Sequence, residues 1–426
     1  MNKVKQILND IFCNIDVSEN KMKIMQDSLR DFKIKFNAEL KKLKIDASLF
    51  VGGSFAKKTV VRKNKYDVDI FVRFDSKYND NEISNLTEKV LKKFKNVSKI
   101  HGSRDYFRIN IGPRFYLEIV PVKKIKNLKN YENITDLSFS HVRYINKKVK
   151  NENVLNDIKL AKVFCHANNC YGAESYIKGF SGYSLELLIT YYGSFEKFLK
   201  EMIKVKLGVK CVIDMEKLHV NKKNVLMDLN SSKLESPVIL IDPTYKQRNA
   251  LAALSEKTFL KFQQVVKKFL KLPSVKFFEV QKTDLEKIKK NALKKKQEFV
   301  LTSVKTNKQE GDVAGSKLLK FYEHMCFEFD RFFKIKKSGF NYNEKQSSRC
   351  YFVVEKRKEI IINGPLIKDK KNVKLFKKKH KNIFKKKDNL FAREKVDFDL
   401  KSFVKKWKIK NKQRIKEMYI VDVKLI

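Results

Sequence analysis

The sequence predicts a multidomain α+β protein: a mixed sheet with helices first, a helical domain next, and a basic α/β region last. Three observations carry that prediction. At 426 residues the chain exceeds what one hydrophobic core serves, so about two to four domains are expected. Apolar residues alternate with period two in short runs from Ser48, and after Pro121 give way to helical spacing. An apolar fraction of 42%, with 12% aromatics, is enough to fill several cores.

In chain order, residues 2 to about 45 place Val4, Ile7, Leu8, Ile11 and Phe12, then Met22, Ile24, Met25, Leu29 and Phe32, at helical intervals. The runs SLFVGGS, DVDIFVRF, YFRINI and FYLEIVPV read as strands, with ISNLTEKVLKKFKNV as a helix among them. Val154, Ile158, Ala161 and Cys165 then mark one helix face, and GFSGYSLELLITYYG reads as a buried helix bracketed by Gly182 and Gly193. VILID is a strand ending at Asp242-Pro243, and a helix is expected from Arg248 through Leu270. Past Pro273 come a helix over Lys317 to Phe333 and strands in CYFVVEKRKEIII. A Lys-rich helix follows from Val373 to about Phe384, with Val373, Phe376, His380 and Phe384 as its apolar stripe. The expected domains are 1–145, 146–275 and 276–426.

Charge narrows the function. Lys+Arg 95 against Asp+Glu 48 leaves a net +47, and such a chain repels itself unless a polyanion accompanies it. A/T-rich codon usage would also enrich Lys and Asn, but nucleic-acid contact accounts for the sign. The six cysteines form no CxxC pair and no disulfide-like spacing, so reduced thiols and no structural zinc are expected. No stretch of 18 apolar residues occurs, and the expectation is a cytoplasmic protein that does not enter a membrane.

The segment VGGSFAKKTVVRKNKYDVDIFVRF, residues 51–74, carries the chemistry. Gly52-Gly53-Ser54 follows a strand and opens a helix, where bare N–H groups and a hydroxyl can meet a triphosphate. Its glycine spacing is not that of a Walker A loop. Asp67 and Asp69 lie two residues apart in a strand, roughly 7 Å, and project from one face. Two carboxylates among Val, Ile and Phe repel each other unless cations lie between them, and Mg²⁺ is the usual compensation. Glu118, alone between Leu117 and Ile119, is the candidate third acid.

Gly-Gly-Ser, a short helix, Asp-x-Asp and a distant third acid resemble the DNA polymerase β-like nucleotidyltransferases. GGSFAKKT…YDVDIFV, ANNCYGAESYIKGFSGYSLELLITYYGSF and IDPTYKQRNALAALS narrow this: they resemble the archaeal-type, class I, CCA-adding tRNA nucleotidyltransferases, specifically over residues 50–255. The resemblance implies a polymerase β-like palm, a helical central domain and a C-terminal RNA-binding region. By position it implies metal ligation by Asp67, Asp69 and Glu118. Triphosphate contacts would come from Gly53, Ser54, Lys57, Lys162 and Tyr171, nucleotide contact from His141, and base reading from Arg248. It also implies two Mg²⁺ ions, CTP and ATP as substrates, tRNA gripped at its acceptor stem and TΨC arm, and a homodimer as a common assembly. Glu118 stands where the family usually has Asp, and Lys57 where Arg is common. The His141 segment lacks the family's Pro, and nothing is carried over onto Asp105 or Tyr106. A poly(A) polymerase, an oligoadenylate synthetase or an inactive basic RNA-binding protein are the rival readings.

Overall fold

The computed structural model describes residues 3–102, 104–125 and 133–426; Ser103 and the side chain of Cys13 lie outside the described residues. The chain divides into two compact units, Met1–Gln281 and Lys282–Ile426.

The first unit opens with α1 (Lys3–Ile15) and α2 (Glu19–Lys42), followed by β1 (Ala47–Val51), α3 (Gly53–Ala56), β2 (Tyr66–Phe74), α4 (Asp80–Leu91), β3 (Val97–Ile100), β4 (Tyr106–Gly112) and β5 (Phe115–Lys123). These strands form one sheet in the order β1-β2-β5-β4-β3, with only β2 and β5 parallel. Strand alternation sorts the two faces. Val68, Ile70, Val72 and Phe74 of β2 and Leu117 and Ile119 of β5 are buried against Leu29, Phe32 and Phe36 of α2 and Ile83 and Val90 of α4. Asn79 and Glu82 close a reciprocal cap on the first turn of α4. The opposite face carries the polar residues.

The unit continues with α5 (Ser138–Lys148), α6 (Glu152–Ala167), α7 (Gly182–Tyr192), α8 (Phe195–Met202), β6 (Cys211–Ile213), α9 (Lys222–Asp228), β7 (Val238–Asp242), β8 (Tyr245–Asn249) and α10 (Glu256–Lys271). A second core gathers Ile158, Phe164, Leu188, Phe198 and Phe262 from these helices, and α1 joins it through Val4, Ile11 and Ile15. Ser181 caps the start of α7, and Gly193 at φ +77° ends it in the left-handed conformation that glycine adopts freely. The expected helix from Arg248 is corrected here. Arg248 lies in β8, and α10 begins at Glu256 with Ser255 as its cap. Leu251 and Leu254 extend the helical spacing upstream, but they are buried in the turn that precedes the cap.

The second unit contains α11 (Leu285–Lys294), β9 (Glu298–Thr306), α12 (Asp312–Asp330), β10 (Phe333–Tyr342), β11 (Ser347–Lys356), β12 (Glu359–Leu366), α13 (Lys370–Lys379), β13 (Asn382–Lys386), β14 (Asn389–Lys395), α14 (Leu400–Lys410), α15 (Lys412–Glu417) and β15 (Ile420–Leu425). A sheet in the order β10-β11-β9-β15 packs on Phe321, Met325 and Phe329 of α12 and Val404 and Trp407 of α14. A smaller sheet has the order β12-β14-β13. The Lys-rich helix stops at Lys379, so the expected stripe is split: Phe384 belongs to β13, paired with Phe391 of β14 and stacked on its ring. The residues from Asn382 fit a hairpin through Lys387-Asp388 as well as they fit a helix, and cross-strand pairing decides.

Among the described residues, five cysteines are free thiols and no helix is long and apolar enough to cross a membrane.

Candidate active site

The polar face of the first sheet gathers the three acids. Parallel pairing sets Asp69 directly opposite Glu118, and antiparallel pairing sets Glu118 opposite Arg108. Lys63 pairs with Asp67. Arg108 donates from Nη2 to Glu118 Oε1 at 2.8 Å while its guanidinium lies 4.3 Å over the Tyr116 ring. Burial, helped by the charges of Asp67 and Glu118, pushes the Asp69 carboxyl up to about 7. Burial also raises Glu118, and Arg108 offsets only part of it. Three hard oxygen donors on one face, two of them raised in this way, suit a divalent cation such as Mg²⁺. With Lys63 and Arg108 on two of them, no three His, Cys, Asp or Glu side chains among the described residues close into a cage.

Gly53 explains how the glycine turn meets those acids. The Gly52 N–H donates to the Asp69 carbonyl at 2.9 Å, and Gly53 sits at φ +62° with the position of a Cβ only 1.6 Å from Asp69 Oδ2. No other residue allows this approach. Ser54 follows in α3, half-buried, and its carbonyl accepts from the Thr59 N–H at 2.9 Å. Gly53→Ala therefore combines left-handed strain, about 1–2 kcal/mol, with displacement of the Asp69 carboxylate. Incorporation kinetics beside a thermal melt should show kcat falling at least tenfold while the fold persists.

Two buried carboxylates organise the remaining candidates, and sequence reasoning singled out neither. Glu186, fully buried on α7, accepts from Lys57 Nζ at 2.6 Å and Lys162 Nζ at 2.8 Å. Thr59 completes the cluster: its hydroxyl donates to Glu186 Oε1 at 3.2 Å and accepts from Lys162 at 2.8 Å. Burial alone would raise Glu186, but Lys162 and Lys57 hold it below the usual glutamate range. Lys162 is itself lowered by burial. Tyr171 is packed beside this cluster; its hydroxyl and Lys162 Cε both lie close to Gly182.

Asp242, at the end of β7, is the second hub. It pairs with His141 Nε2 at 2.9 Å, Arg248 Nη1 at 2.6 Å, the Tyr183 hydroxyl at 3.0 Å and both the N–H and hydroxyl of Thr244 at 2.8 Å. Against its burial, the His141 and Arg248 contacts hold Asp242 well below the usual carboxylate range, while burial lowers His141. The His141 ring stacks on Tyr183 with centroids 4.0 Å apart. Arg248 Nε is buried with no hydrogen-bond partner in the protein. Lys57 joins the two hubs, its ammonium lying 5.8 Å from the Tyr183 centroid. One continuous site within the first unit thus gathers Asp67, Asp69, Glu118, Gly53, Ser54, Lys57, His141, Lys162, Tyr171 and Arg248. Glu186 carried the same signal that singled out Glu118, a lone acid in an apolar run.

A glycine turn closed on an Asp-x-Asp strand, with a third acid across a parallel pair, resembles the catalytic arrangement of polymerase β-type nucleotidyltransferases. Residues 33–134 match the nucleotidyltransferase domain family, and residues 156–279 match the family described as tRNA nucleotidyltransferase, second domain. The CCA-adding enzyme of Nanoarchaeum equitans is 41% identical over 244 residues, which are 56% of this chain and 58% of that protein. The CCA-adding enzyme of Methanocaldococcus jannaschii is 28% identical over 415 residues, covering 91% of this chain and 87% of that one. The chain is thus similar to archaeal CCA-adding enzymes, and its first unit matches two nucleotidyltransferase domain families in succession. Among solved structures, the RNA terminal uridylyl transferase Cid1 shares the fold, with TM-score 0.51 and 12% identity over 65% of this chain and 98% of Cid1.

Proposed function

We propose that this protein adds the 3′-terminal CCA to tRNA without a nucleic-acid template, using CTP and ATP and releasing pyrophosphate. The observation that carries the reading is the pairing of three acids on one sheet face with two lysine ammoniums anchored by Glu186 beside them. Asp67, Asp69 and Glu118 would hold two Mg²⁺ ions, which when bound acidify an attacking 3′-hydroxyl and neutralise a departing pyrophosphate. The backbone at Gly53 and the Ser54 hydroxyl offer donors to the triphosphate, and Lys57 and Lys162 offer its counter-charge. Their order in space is fixed before substrate arrives, because Glu186 and Thr59 already hold both ammoniums. Tyr171 supports that wall.

Base recognition falls to Arg248 and His141. Asp242 fixes both, and the unpaired Arg248 Nε is a donor awaiting an acceptor. A ring nitrogen of either base, or the cytosine carbonyl, would satisfy it. In functional terms we divide the chain into a catalytic head at 1–145, a nucleotide-binding segment at 146–275 and a basic tRNA-binding segment at 276–426. The last would grip the acceptor stem and TΨC arm through phosphate and shape. A cytoplasmic homodimer is part of the same proposal.

The test is to incubate the purified protein and Mg²⁺ with tRNA ending before CCA, supplying CTP and ATP separately and together, and to sequence the RNA ends. The expected product is CCA, completed only when both nucleotides are present. Long adenosine or uridine tails, or 2′-linked oligomers, would overturn the proposal.

A further inference from the structure

The polar alternation of β2 does not stop at the acids. It continues through Phe71 to Arg73, which projects from the same sheet face as Asp67 and Asp69. Four residues of strand separate Arg73 from Asp69, about 13 Å at ~3.3 Å per residue. There the Arg73 guanidinium lies 3.6 Å from the centroid of Phe139, and that of Arg143 lies 5.5 Å from the same ring. Phe50 of β1 packs edge-on to Phe139 at 4.7 Å. The entry to α5 is fixed as well, since buried Arg104 donates to Asp136 and to the carbonyl of Pro121. The ring is therefore a rigid platform with two guanidiniums on it.

Neither arginine has a carboxylate partner among the described residues. Elsewhere in the same sheet domain Arg104 is paired with Asp80 and Asp136, and Arg108 with Glu118. Burial, with the charge of Arg143 nearby, pushes Arg73 below the usual arginine range. Two like charges held together on one ring form an arrangement completed by an anion. The residue type matters too. The chain has 13 Arg against 82 Lys, so a codon bias toward Lys does not account for this pair. Arginine stacks on an aromatic face and still presents a planar fork that fits a phosphate bidentately, which lysine cannot do.

We propose that Arg73 and Arg143, mounted on Phe139, form a phosphodiester clamp for the single-stranded 3′ segment of the RNA. The proposal rests on the reading of the acid site as the place where an RNA 3′-hydroxyl reacts. A triphosphate is the weaker candidate ligand, because its counter-charge lies at the Asp69 end of β2, on Lys57 and Lys162. An RNA strand whose end reaches the acids has backbone phosphates available farther along the face.

The test uses the full chain with Arg73→Gln, Arg143→Gln and the double substitution. Arg143 is exposed, so Arg143→Gln alone provides a variant whose folding is not at issue. Affinity for tRNA ending before CCA is measured by fluorescence anisotropy across a salt series, and CTP affinity by calorimetry. The double variant should lose about tenfold in RNA affinity, and its salt slope should fall by roughly 1.4, at about 0.7 per single-strand phosphate contact for two contacts. CTP affinity should stay within twofold of the parent. Methylphosphonates replacing the last phosphates of the RNA should abolish the difference between parent and variant. Unchanged RNA affinity and slope, or weakened CTP binding instead, would overturn the clamp. So would a difference that survives the methylphosphonates, which would assign the pair to the duplex stem. Because binding is read without turnover, failure of the parent protein to add CCA would count against the functional reading alone.

Discussion

Asp69→Asn should reduce nucleotide incorporation by on the order of 10³-fold and, in the metal-free protein, raise the melting temperature at neutral pH. The first effect follows from losing one of three charged oxygen donors. Charge stabilisation of several kcal/mol, at 1.36 kcal/mol per tenfold, corresponds to that factor. The second has the opposite sign because the folded protein holds the Asp69 carboxyl at about 7, above its usual 3.8. An acid raised on folding costs nothing below its unfolded value, where it is protonated in both states. The cost grows as pH rises from about 4 to 7 and is constant above, amounting to roughly 4 kcal/mol. Asparagine carries no such cost. Melting curves of both proteins in EDTA between pH 4 and 8.5 should therefore coincide at the acid end and separate toward neutrality. Curves that separate toward acid would sink this account of the acid cluster.

Glu186→Gln should act in the other direction. Lys57 and Lys162 are buried and share this one carboxylate, so removing its charge leaves two ammoniums facing each other without a counter-ion. Breaking a buried pair by deleting one partner costs about 3–5 kcal/mol. Glu186 is held below its unfolded value, so its contribution is fully present above about pH 4.5 and fades as pH falls through the lower folded value. The deficit in chemical-denaturation midpoint should shrink accordingly in acid. A triphosphate supplies the missing negative charge, so CTP with Mg²⁺ should raise the midpoint of the variant more than that of the parent. Equal shifts in both would mean that the lysines do not face the nucleotide.

What could be read from sequence depended on whether a residue broke the pattern around it. Asp67 and Asp69 interrupt an apolar strand at an interval that puts both on one face, and Gly-Gly-Ser sits where a turn must approach them. Glu118 stands out for the same reason, but its register opposite Asp69 is a property of the β2–β5 pairing, which no local pattern specifies. Glu186 broke the pattern too. But α7 is buried on nearly every side, so its apolar run offers no polar face against which an acid looks misplaced. Asp242 looked like a turn residue because proline follows it, and its role as a hub depends on α5 and α7 arriving from elsewhere in the chain. The leucines after Arg248 keep helical spacing, which extends the apparent helix back to it. Only the cap at Ser255 reveals where the helix begins. In the second unit, Phe384 satisfied both a helical and a strand period, and pairing with β14 selected the strand.

The docking of α1 in the second core has a consequence for the order in which the polypeptide acquires structure. Val4, Ile11 and Ile15 pack among residues from Ile145 to Phe278, so their partners leave the ribosome long after they do. The sheet domain between them can complete its own core from Met25 to Ile119 in the meantime. The first helix can dock only after those partners are made, and its docking closes a long loop. The end of this helix also ties the sheet segment to the helices, through Ile15 to Arg62 and Asp16 to Lys159. The late arrival of the helices thus locks a head that had already folded, and slow maturation is expected to concentrate in this one step.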